Sequence, residues 1–240
     1  MRFLSIIIIA IISIQSLVAQ NINGQMLLER SIEYHDPNQK WTTFSGELYI
    51  TMETPNSPNR DSKIQINLPL EYFYINSIQG DISYEFTVNK GDCGTSTMNA
   101  GAIKKFGTLP KDAWCDKAKL YKNYYTYLYG LPMKLKDPGT IIDDTVERKS
   151  FKGKDFLVLK VSYDKSVGSD VWYFYFNPKT YAMEIYQFFK TDKNGELKLD
   201  SGEYILLTDT KTINAIKIPK IRAWYYNKDD TYLGTDILKD

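Results

Sequence analysis

The chain has 240 residues, of which 43% are apolar and 25% charged, and its formal net charge is +1. That balance excludes a disordered chain, a collagen-like repeat and a polytopic membrane protein, and gives no electrostatic reason to expect nucleic acid as a partner. Aromatic residues reach 14%, led by 19 tyrosines, a bias that favours strands over a helical bundle.

In chain order, Arg2 precedes the apolar run Phe3–Ile14, which exits through small residues to Ala19. This is the layout of a secretory signal peptide, and the run is too short for a stable spanning anchor. Residues 1–19 are therefore expected to be removed, leaving one domain over residues 20–240 in the periplasm or outside the cell. Neither cysteine, Cys93 or Cys115, lies just after the apolar run, so no lipoprotein-type anchor is expected.

Gln25–His35 reads as a short amphipathic helix with Leu28, Ile32 and His35 on one side, ended by Asp36-Pro37-Asn38. Alternating segments follow at Thr43–Thr54, Ser62–Asn67, Glu71–Ile78 and Asp81–Val88, punctuated by Pro55-Asn56-Ser57-Pro58, Pro69 and Gln79-Gly80. Lys90–Gly107 reads as a loop. Pro110–Gly130 is the clearest helix, with Trp114, Ala118, Tyr121, Tyr125 and Leu128 forming an apolar seam at spacings of 4, 3, 4 and 3.

The second half returns to strands at Thr145–Phe151, Asp155–Tyr163, Ser169–Phe176, Tyr181–Phe189, Glu203–Thr210, Thr212–Asn227 and Thr231–Leu238. Their short separators imply an antiparallel meander, because a parallel crossover needs a dozen or more residues. A turn at Asn177–Thr180 would place Phe176 opposite Tyr181, Phe174 opposite Met183 and Trp172 opposite Ile185. The fold class expected is mainly β (α+β), a single curved antiparallel sheet or incomplete β-barrel covered by about two helices.

Chemistry-bearing motifs are sparse. His35 is the sole histidine, which removes His-rich zinc sites and leaves a triad only if His35 is recruited; the segment reads as a helix end packed on the sheet. No glycine-rich phosphate loop occurs, and Asp192–Glu196 reads as a solvated turn rather than a calcium loop. The adjacent carboxylates Asp143-Asp144 and Asp229-Asp230 point to opposite faces of a strand and make no dyad by themselves. No metal or cofactor is expected. Cys93 and Cys115 read, in an exported chain, as one disulfide, with two separate thiols as the alternative.

What stands out is an apolar stripe: Leu157, Leu159, Trp172, Phe174, Phe176, Tyr181, Met183 and Ile185, faced by Trp114, Tyr121 and Tyr125 of the long helix. Such a stripe reads either as packed core or as the lining of a cavity for an apolar ligand under a helical lid. A rival reading places a protein-interaction surface on the wetter side of the hairpin, including Tyr173, Tyr175 and Tyr186. A cofactor-free enzyme is the third.

Several phrases carry a resemblance: Ser31-Ile32-Glu33-Tyr34-His35-Asp36-Pro37, the stretch Tyr127–Leu135, the stretch Gly168–Phe176, Gly202-Glu203-Tyr204-Ile205-Leu206 and Tyr232-Leu233-Gly234-Thr235-Asp236-Ile237. They resemble a family of exported Gram-negative envelope proteins of unknown function. The order of elements is similar to the LolA/LolB-like fold, an incomplete barrel around helices whose members carry or sense lipids and lipoproteins. The resemblance implies a soluble carrier for a lipid, a lipoprotein acyl chain or another apolar ligand, and brings no catalytic residue.

Overall fold

The computed structural model describes residues 22–94, 96–107 and 111–240; the expected signal peptide and Pro110, the expected helix start, lie outside the described residues. The chain opens with α1 (Gly24–His35), then β1 (Ser45–Thr54), β2 (Ser57–Asn67), β3 (Tyr72–Gln79), β4 (Ile82–Asn89) and the two-residue strands β5 (Asp92–Cys93) and β6 (Thr97–Met98). Next come α2 (Ala100–Phe106) and α3 (Lys111–Gly130). The remainder is β7 (Thr140–Phe151), β8 (Lys154–Tyr163), β9 (Val171–Phe176), β10 (Met183–Phe189), β11 (Glu203–Ile213), β12 (Ile216–Tyr226) and β13 (Tyr232–Leu238).

All thirteen strands belong to one sheet, in the order β5-β4-β3-β2-β1-β13-β12-β11-β10-β9-β8-β7, with β6 on β4. Every pairing within it is antiparallel. Two meanders, β1–β5 and β7–β13, are thus joined where the last strand lies beside the first, Ile50 opposite Leu238. The sheet is not closed: β5 and β7 stand at its two ends.

In the first meander alternation is clean, as expected of an antiparallel sheet with one covered face. Leu48 and Ile50, Ile64 and Ile66, Phe73 and Ile75, and Phe86 and Val88 are all buried, and each such side chain contributes roughly 1.5–3 kcal/mol through its removal from water. The α3 seam covers them, with Ala118, Tyr125 and Leu128 buried. Cys93 of β5 is disulfide-bonded to Cys115 of α3, with a Cα–Cα distance of 5.4 Å, and staples the helix to this end of the sheet.

The helix α1 rests on the second meander. Asn23 caps it by accepting from Met26 N at 2.8 Å, and Leu27, Leu28, Ser31 and His35 are its buried side. Gly24 lies so close to β7 that a Cβ there would fall 1.9 Å from the Asp143 carbonyl oxygen. At the other end His35 is a clamp. Its Nδ1 lies 2.7 Å from the Lys217 carbonyl of β12, and its Nε2 accepts from Met183 N of β10 at 3.0 Å. The proton therefore sits on Nδ1, the only arrangement that satisfies both bonds. Burial, the largest influence, pulls the pKa of His35 down from 6.5 to about 4. Asp36 does not pair with the imidazole: its carboxylate accepts from Lys40 N and Trp41 N at 2.7 and 2.8 Å, capping the short turn Trp41–Thr43.

The structure corrects the sequence expectations in four places. The loop expected over Lys90–Gly107 contains β5, β6 and α2. Asn99 caps α2 by accepting from Ala102 N at 2.9 Å, while its own amide donates to Asp81 O. The break expected at residue 211 lies instead at Asn214-Ala215, whose φ values of 50° and 65° make the twisted two-residue turn that hairpins favour. Ser57 and Pro58 belong to β2 rather than to the turn before it.

The fourth correction matters most for the site. The β9–β10 connection is longer than expected: Tyr181 N donates to Asn177 O and Asn177 N to Ala182 O, so Phe176 pairs with Met183, not Tyr181. The register then shifts between Met183 and Ile185, which brings Tyr186 opposite Phe174 and Phe188 opposite Trp172. A one-residue shift turns side chains to the other face. Ile185 consequently packs on the outer side with Phe156, Val158 and Tyr175, while Tyr186 joins the inner core.

Candidate functional site

Beside α3, on the flank away from its seam, lies a cleft of about 750 Å³. The helix contributes Lys122, Asn123, Thr126 and Tyr127, whose spacing puts them on one flank. Across from them stand Thr140 at the start of β7, Tyr163 at the end of β8, the connection Val167–Asp170, and Trp172 of β9. Lys134, Asp137, Pro138 and Leu68 complete the lining. The connection is held by Val167 N donating to Asp164 O and Asp164 N donating to Gly139 O, both at 2.8 Å. Gly139, at φ 83°, leaves room for the Val167 side chain.

Rings form the inner wall. Tyr127 meets Trp172 edge to face, with centroids 5.8 Å apart, and its hydroxyl is hydrogen-bonded to that of Tyr163. Trp172 in turn stacks on Phe188 at 4.9 Å and on Phe174 at 6.0 Å. The rim is polar: Lys134 pairs with Asp137, and Lys122, Asn123, Ser169 and Asp170 are its other members. Burial pushes the Tyr163 phenol up to about 12 and the Tyr127 phenol well above its usual value, so both are neutral hydrogen-bonding groups at ordinary pH. Burial also raises the Asp170 carboxyl, with Lys190 opposing it. Such a lining can hold a molecule that is apolar along one side and polar at one end. A second depression of about 600 Å³ lies between α1 and Trp41, Met133 and Lys136, and shares Asp137 with the first.

Of the eleven residues expected to line a cavity, only Trp172 borders this cleft. Leu157, Leu159, Phe174, Phe176, Met183 and Tyr125 are packed as core, none more than 3% exposed. Trp114 and Tyr121 stack on Phe86 with centroids 6.2 and 5.8 Å away. Tyr181 lies under Arg30, and Ile185 is on the outer side. The stripe residues packed as core lie buried where the seam of α3 meets the sheet. On the outer side, Tyr175 is buried and Tyr186 is not on that face at all, which leaves Tyr173 of the three tyrosines expected there. The sequence reading missed Tyr127 and Tyr163. Their signal was their position: Tyr127 lies just off the helical seam, and Tyr163 ends a strand beside Val167-Gly168.

A family model of proteins of unknown function, DUF6503, matches residues 2–240. The chain belongs to that family. No curated protein matches it. Among solved structures, it is similar to a LolA superfamily protein from Nitrosomonas europaea, with 11% identity, a TM-score of 0.49, and coverage of 91% of this chain and 92% of the other. It is also similar to a DUF1329 family protein from Desulfovibrio piger, with 8% identity, a TM-score of 0.47, and coverage of 90% and 91%. Among the described residues of this DUF6503 chain, no helix is long and apolar enough to cross a membrane, and no group of three metal-ligating side chains forms.

Proposed function

We propose that residues 20–240 form an exported, periplasmic binding protein that holds an amphiphile, such as a lipid or a lipoprotein acyl chain, in the cleft beside α3. The observation that carries this reading is the joined ring wall of Tyr127, Tyr163 and Trp172 under a polar rim, in a space of about 750 Å³. That volume falls within the roughly 300–1,000 Å³ usual for small-molecule sites. Affinity would come from apolar burial, about 25 cal/mol per Å² of tail surface, without covalent chemistry. The Cys93–Cys115 disulfide supports an oxidising compartment.

The test is native mass spectrometry of gently purified protein, followed by titration with dodecanol read by calorimetry. Co-purifying lipid and saturable binding that falls about tenfold or more in Trp172→Ala are expected, since an aromatic wall is lost. Absence of both bound lipid and saturable binding would defeat the proposal.

A further inference from the structure

One row of charged side chains crosses the inner face of the sheet beneath α3. Arg60 of β2 and Asp236 of β13 both pair with Met52 of β1, and Asp236 pairs on its other side with Arg222 of β12. Directly paired residues share a face, so the three side chains project together. Arg222 and Asp236 are 1% and 2% exposed. Neither arginine is within 4.0 Å of a carboxylate oxygen among the described residues.

The arginines are held by α3 instead. Arg60 Nη2 donates to the Tyr125 hydroxyl at 3.3 Å. Arg222 Nη2 donates to Leu128 O of α3 at 3.5 Å and Nη1 to Pro219 O of its own strand at 2.8 Å, and its guanidinium lies 3.8 Å from the centre of the Tyr129 ring. These contacts leave much unused. Six buried polar atoms here make no hydrogen bond among the described residues: Nε of Arg60 and of Arg222, the hydroxyls of Tyr129 and Tyr186, Nε1 of Trp224, and Oδ1 of Asp236.

Five of these six carry a hydrogen to donate and one can only accept. Two guanidiniums and the Trp224 indole face one carboxylate, whose pKa burial raises and those three groups pull down. Buried donors and charges without partners cost several kcal/mol each, roughly, so a donor-rich, net-positive cluster is complementary to an acceptor that carries negative charge. We propose that the Arg60–Asp236–Arg222 row is a binding site for an oxyanion, the carboxylate or phosphate group of a ligand. This rests on and deepens the reading of the cleft, because Tyr186 packs between Trp172 of the cleft wall and Trp224, two residues along β12 from Arg222, at 6.0 and 6.1 Å.

The experiment compares dodecanoate with dodecanol, which share a tail and differ in charge, and adds inorganic phosphate alone, all by calorimetry at neutral pH. Dodecanoate should bind about tenfold more tightly than dodecanol, the scale of one charge-assisted hydrogen-bond pair. In Arg60→Gln, chosen because this arginine is only half-buried, that advantage should shrink to within about twofold. Asp236→Asn removes the competing carboxylate at constant shape and should tighten dodecanoate binding about threefold. A purely structural row predicts no such gain, and unchanged or weakened binding there overturns the site. Equal affinity for acid and alcohol in the unmodified protein also overturns it while leaving the cleft reading intact. If neither amphiphile binds, the cleft reading fails. Phosphate binding that is lost in Arg60→Gln would then retain the row as a site for a free oxyanion, and no phosphate binding would end it.

Discussion

On one flank of α3, Trp114 and Tyr121 stack against Tyr84 and Phe86 of β4, whose exposures are 4% and 0%, and Tyr125 stacks on Tyr121. On the other flank, Tyr127 closes with Tyr163 and Trp172 into one wall of a cleft of about 750 Å³, which Lys122, Asn123 and Thr126 also border. Both flanks are aromatic, so aromatic content does not decide which one is open. The strands opposite decide it. Strand β4 presents Tyr84, Phe86 and Val88 as buried partners, whereas the residues facing the open flank, Thr140 of β7, Tyr163 at the end of β8 and Trp172 of β9, are only partly buried. A helix docks where the facing strand offers a regular apolar row, and stands off where the row is broken.

The largest expected effect breaks the filled flank. Phe86→Ala removes the ring on which Trp114 and Tyr121 stack, and should cost about 3–5 kcal/mol in urea unfolding, as for other fully buried phenylalanines. A loss no greater than about 1 kcal/mol would mean that this flank relaxes as readily as the open one.

The difference between the flanks also sets what could be read from sequence. The 4-3-4-3 seam from Trp114 to Leu128 registers directly as a buried helix face, and the alternation of Phe73–Ile75 and Phe86–Val88 as its bed. The sheet, its antiparallel order in each meander and the Cys93–Cys115 bridge were legible for the same reason: they follow from local periodicity and compartment. The cleft was not, because it depends on where periodicity fails. The shift beside Glu184 exchanges Ile185 for Tyr186 on the inner face, and no composition signal marks it. Helix α2 was hidden because its start depends on one asparagine, Asn99, bonding both forward to Ala102 and across to Ser83.

A second prediction sharpens the comparison at α1, which covers the open half. His35 is neutral in the folded protein, and burial holds its pKa at about 4 against 6.5. Between those values the unfolded chain takes up the proton first, so stability falls as pH drops from about 6.5 to about 4, by about 3 kcal/mol in all, and is fully present above that window. Unfolding free energies measured across pH 4 to 7 should show this slope, and His35→Ala should flatten it at the cost of lower stability throughout. A slope that survives the substitution would assign the titration elsewhere.

The smallest effect is expected at the rim. Val167 is 57% exposed and lines the cleft. Val167→Ala should change stability by less than about 0.5 kcal/mol, yet weaken dodecanol binding about threefold through lost tail contact. If stability falls instead and binding holds, the connection Val167–Asp170 is a strut for β8 and β9 rather than part of the binding surface.

The lateral bond between the first and last strands has a consequence for assembly. Until residues 232–238 arrive, β1 and β12 each expose a free backbone edge, and no strand pairing joins the earlier meander to the later one. Contacts spanning nearly the whole chain form slowly, and open edges meanwhile invite pairing with other chains. The seven residues of β13 therefore act as the keystone of the sheet, so that loss of a short C-terminal segment would release two halves rather than shorten one.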